Sequence, residues 1–77
     1  MNDEDLHHQA IKLYSQQIDD LKALSEYLKN YTESNELDEQ SSVLIESLCS
    51  KIAEMIMRCL NNINEHAIAL GLQPIEL

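Results

Sequence analysis

Residues 1–70 contain neither glycine nor proline; the chain's single Gly is Gly71 and its single Pro is Pro74. A stretch of that length without either of the residues that most often break a helix favours long helices. It also leaves no Gly-rich loop that could cradle a phosphate. With 77 residues there is room for one small domain, residues 1–77, and not for two domains or an enzyme on a large α/β scaffold.

Hydrophobic periodicity predicts an all-α, antiparallel two-helix hairpin. The first helix is expected over residues 3–31. Asn2 or Asp3 would cap it, and Glu4 and Asp5 would place negative charge in its first turn, where the helix dipole favours it. Tyr14, Leu21 and Leu28 recur every seven residues, and Leu24 and Tyr31 supply part of a companion row. Such a seam suits a helix lying at a shallow angle along another. The polar run TESNEL, residues 32–37, is long enough to reverse the chain. A second helix is expected over 38–70, capped by Asn35 or Asp38, with Ser41 or Ser42 as later options. Gly71 supplies a left-handed C-terminal residue, Leu72 can fold back on Ala67, and Pro74 prevents a restart. The tail, 71–77, keeps Leu72, Ile75 and Leu77, which could lie over the end of the bundle.

The second helix carries the wider apolar arc. Leu44, Ile45, Leu48, Ile52, Met55, Ile56, Cys59, Ile63 and Leu70 belong to a stripe covering nearly half its circumference. One partner helix of similar width cannot cover that arc, and a lone hairpin of this size has little core. The sequence therefore predicts that two hairpins dimerise into a four-helix bundle. Leu21, Leu24, Leu28, Leu48, Ile52, Met55, Ile56, Cys59 and Ile63 are the expected core and dimer-contact residues.

NELDEQ at residues 35–40, together with Glu46-Ser47-Leu48, Glu54 and Cys59-Leu60 in the run 46–60, resembles the turn and second helix of the Rop-type plasmid-copy-number hairpins. The resemblance implies a dimeric hairpin bundle. Rop-type hairpins bind RNA through basic, amide and aromatic groups on the first helix. The corresponding positions here are Ile18, Lys22, Glu26 and Glu33, which depart from that pattern, so no function is carried over.

Charge narrows the function classes. Five Lys and Arg against 14 Asp and Glu give a formal net charge of −9, which disfavours direct nucleic-acid binding. No apolar run approaches the ~20 residues of a membrane span, and no basic-then-apolar leader is present. Cys49 and Cys59 lie ten residues apart on one expected helix, too far to bridge within a chain, so they read as reduced thiols. These features together point to a cytoplasmic protein.

Three constellations are candidates for function. Asp19, Glu26 and Glu33 repeat every seven residues on the outer face of the first helix, forming an acidic surface that would steer toward a basic protein or replace nucleic-acid phosphates. Tyr27, Met57 and Ile68 fall off the core stripes and could anchor a partner, as could Val43. His7 and His66 project toward the apolar stripe and could approach each other at the open end of the hairpin, with Asp3 or Glu65 nearby. The absence of an HxxxH pair makes metal binding a minor reading. No nucleophile turn such as GxSxG exists. The sequence thus predicts a non-enzymatic, cofactor-free regulatory or adaptor protein, a homodimer that sequesters, inhibits or chaperones a basic protein partner. The alternative is an acidic nucleic-acid mimic, and a metal-binding bundle comes behind it.

Overall fold

The computed structural model describes residues 3–74. The chain forms two α-helices, α1 (Asp3–Ser34) and α2 (Glu39–Ala69), which pack side by side as a hairpin. Among the described residues there is no strand. Asn2, Ile75 and Leu77, which entered the expectations for the first cap and for the tail, lie outside the described residues.

α1 continues one turn past the expected end at Tyr31. Two polar side chains reach back to carbonyls of the preceding turn. Thr32 Oγ1 donates to the Leu28 carbonyl and Asn35 Nδ2 to that of Tyr31, each at 2.9 Å. These residues would ordinarily favour a turn, yet here they satisfy backbone oxygens and let the helix run on. The connection shrinks to residues 35–38. Asp38 is the N-cap of α2: its extended backbone stops the helix, and its side chain accepts from the Ser41 backbone N–H at 2.7 Å.

α2 ends at the predicted glycine. Gly71 has φ 77°. The Leu72 N–H donates to the Ala67 carbonyl at 2.9 Å and the Gly71 N–H to that of Ile68 at 3.0 Å. This paired closure is the Schellman arrangement, which needs a left-handed residue.

The core runs along the helix–helix seam. Ile18, Cys59 and Ile63 are buried together, with Ile11, Tyr14, Leu21, Ile56 and Leu60 packed around them; Ile52 and Ala67 are buried farther along α2. Met55 and Leu28 are half-buried. Leu24 and Tyr31, placed in the seam by their seven-residue spacing, are exposed, as are Leu44 and Leu48 of the broad α2 stripe. One neighbouring helix cannot reach around a wide arc, so its flanks stay in solvent. Eleven large apolar side chains are exposed among the described residues, against five buried residues. Cys59 is buried and Cys49 half-buried, both as free thiols.

The molecule is a rod of 52 × 19 × 15 Å with a radius of gyration of 16.3 Å; a compact chain of this length would have about 11 Å. Its accessible surface is 6008 Å², against ~4,800 Å² for a folded monomer of this mass.

Candidate functional site

The antiparallel pairing brings the start of α1 beside the end of α2. His7, on the second turn of α1, meets His66, on the last turn of α2, with their Nδ1 atoms 2.8 Å apart. The ring centroids are 5.1 Å apart, close to the greatest separation such a contact allows, so each Nδ1 is aimed at the other. One ring donates its N–H and the other accepts. Tyr14 also stacks on His66, centroids 6.1 Å apart and planes inclined by 24°. The sequence anticipated the approach of the two histidines. It did not anticipate that Tyr14, two turns deeper on the inner face of α1, would support His66.

This cluster is poorly suited to a metal. Among the described residues no three His, Cys, Asp or Glu side chains gather closely enough to hold an ion. Neither Asp3 nor Glu65 completes such a group. Two imidazoles pointed at each other, rather than converging on a third point, form a hydrogen bond instead of a chelate.

The acidic row lies on the surface as expected. Asp19, Glu26 and Glu33 are all exposed. They are not alone there. Lys22, Glu26, Lys29 and Glu33 line one open depression on α1, and Lys29 and Glu33 also edge an open groove of ≈ 590 Å³ between the helices near the turn, with Glu46 and Cys49 opposite. The lysines occur at i, i+3 and i, i+4 positions from the glutamates, where opposite charges are neighbours on a helix. The row is thus a mixed-charge face. Sequence spacing had singled out the carboxylates without the cations between them.

Tyr27, Met57 and Ile68 are 64%, 46% and 61% exposed, but they do not form one patch. At ~100° per residue, Met57 and Ile68 lie on the outward edge of α2, whereas Tyr27 lies on the outward edge of α1, turned toward the opposite side of the hairpin. Val43 shares the α2 edge and is likewise exposed.

The polar chemistry is otherwise that of a solvated helical surface. Among the described residues no polar or charged side chain is buried, and no buried side-chain nitrogen or oxygen lacks a partner. The Asp38 carboxyl is held below its usual range, chiefly by the Ser41 backbone N–H and then by the Ser41 hydroxyl; this is a helix cap, not acid–base machinery. Cys59 Sγ lies 3.5 Å from Gln17 Oε1, a weak thiol-to-amide contact across the seam. No helix among the described residues is long and apolar enough to cross a membrane.

No protein-family model matches the chain, and neither the curated proteins nor the solved structures contain a detectable match. The short likeness to Rop-type hairpins therefore stands on residues 35–40 and 46–60 alone.

Proposed function

We propose that this chain is a small, acidic, non-catalytic regulatory or adaptor protein of the cytoplasm, working as a homodimeric four-helix bundle that docks a basic protein partner through a helix face. The observation that carries the reading is the imbalance between core and surface: five buried residues against eleven exposed large apolar side chains on a rod of net charge −9. Such a surface has the character of a binding element. Contiguous apolar area supplies burial, and exposed carboxylates select a partner of opposite sign. Grooves that stay wide open and carboxylates that stay in water offer little for acid–base catalysis.

The partner-facing residues in this reading are Asp19, Glu26 and Glu33, with Met57 and Ile68 as apolar anchors and Tyr27 as a separate contact. The experiment is capture from native lysate by wild type and by the triple charge reversal Asp19→Lys, Glu26→Lys, Glu33→Lys. Loss of a reproducible basic partner with the reversal supports acidic docking. Retention of that partner by the reversal, with loss in Met57→Ala/Ile68→Ala, shifts docking to the apolar anchors. No saturable partner for wild type rejects the adaptor reading. Nucleic-acid mimicry is the weaker alternative, because Lys22 and Lys29 interrupt the negative row at the same depression.

A further inference from the structure

The exposed apolar residues are not scattered. On α1, Leu6, Leu13, Leu24 and Tyr31 form one row, turned about 95° around the helix from the residues that face α2. On α2, Leu44, Leu48 and the half-buried Met55 form another, turned about 60° from the Ile52–Cys59–Ile63 seam by the same periodicity. Both rows are displaced in the same rotational sense, seen down each helix from its own N-terminus. For two helices that run oppositely and face each other, equal sense means the same side. The register set by Gln17 opposite Cys59 and His7 opposite His66 places Leu24, Tyr31, Leu44 and Leu48 together in the turn-proximal half. Leu13 and Leu6 carry the row on toward the open end. All six are exposed. The groove lined by Lys29, Glu33, Glu46 and Cys49 lies on the other side.

We propose that this side of the hairpin, centred on Leu24, Tyr31, Leu44 and Leu48, is the face against which a second copy of the chain packs. The inference rests on the homodimer reading above and names its surface. Two observations choose the occupant. First, the accessible surface of 6008 Å² exceeds that of a folded monomer of this mass by about 1,200 Å². Burial of that surplus on each of two copies gives an interface in the range of obligate homodimers. Second, each copy carries −9, so association is least opposed where carboxylates are sparse. The opposite side brings Glu26, Glu33 and Glu46 to the surface with the lysines. Pairing through the apolar side leaves that mixed-charge side free for a partner.

The test is molar mass by sedimentation equilibrium on the full chain, with helicity measured in parallel. Wild type is expected at twice 8.8 kDa. Leu24→Glu/Leu48→Glu is expected at the mass of one chain, and Met57→Glu/Ile68→Glu, on the outer edge of α2, at that of the dimer. Because the first pair can also cost folding, Leu24→Ala and Leu44→Ala serve as mild variants. Each should weaken dimerisation about tenfold while helicity at high concentration is retained. A dimer that resists all the changes at Leu24, Leu44 and Leu48, or that is broken by Met57→Glu/Ile68→Glu instead, overturns the face and leaves the homodimer standing. A wild-type chain that stays single at every concentration overturns the homodimer itself.

Discussion

His7 and His66 close the open end of the hairpin through a direct Nδ1-to-Nδ1 contact of 2.8 Å, the two residues being 59 positions apart in the chain. A bond of this kind holds one hydrogen between two nitrogens.

A double-mutant cycle on His7→Ala and His66→Ala measures this bond. Urea unfolding at pH 7.5 should show coupling of about threefold to tenfold in the unfolding constant, the range of a single net hydrogen bond. The same cycle run with His7→Phe, which keeps an aromatic ring but neither donates nor accepts at that position, should show no favourable coupling. Equal coupling with His7→Ala and His7→Phe would assign it to ring packing instead.

Much of this arrangement could be read from residue order. Gly71 and Pro74 marked the end of α2, Asp38 was among the possible caps, and antiparallel geometry alone brought His7 toward His66. The length of α1 was harder to read. Thr32 and Asn35 look like turn residues until their side chains find the carbonyls of Leu28 and Tyr31. The seven-residue rows were also ambiguous. A row of Leu24 and Tyr31 beside one of Tyr14 and Leu21 shows that a helix has a broad apolar face, but not which row its neighbour covers. That depends on the rotation of one helix about its axis relative to the other. The same missing rotation hid the separation of Tyr27 from Met57 and Ile68, and it hid Ile18 as the buried residue of α1.

Removal of the α2 cap tests the connection. Asp38→Ala should lower the thermal midpoint, and Asp38→Ser or Asp38→Asn should recover most of the loss, since each retains an acceptor for the Ser41 N–H. The folded-state carboxyl titrates below its ordinary value. Its contribution is therefore fully present above the ordinary carboxylate range and is lost as pH falls through the lowered value. The difference between wild type and Asp38→Asn should shrink on that acid limb; a constant difference down to pH 2 would contradict the assignment.

Gly71→Ala isolates a backbone effect. A Cβ added at Gly71 would meet nothing within 4 Å, but φ is +77°, so the cost is conformational, about 1 kcal/mol. Gly71→Asn should cost less, because asparagine tolerates this region better. Urea denaturation checks both, and equal losses for the two variants would count against the backbone explanation.

Core and surface can be separated on α2. Ile63→Ala empties a buried position and should cost about 2–5 kcal/mol. Met57→Ala, exposed on the outer edge, should stay within about 0.5 kcal/mol. A large loss at Met57 would reveal a contact that a single hairpin does not make.

The four-residue connection at 35–38 is the one place where the two helices are covalently tethered close together. Helix pairing is cheapest beside it, where the loop to be closed is shortest, and each turn zipped there shortens the gap for the next. The far end, clasped by two imidazoles and a tyrosine rather than by a run of buried isoleucines, is then the last part to assemble and the first to come apart. Amide exchange should quicken steadily from the middle of the rod toward the end where His7 meets His66, so that this end breathes while the isoleucine-rich centre keeps the molecule folded.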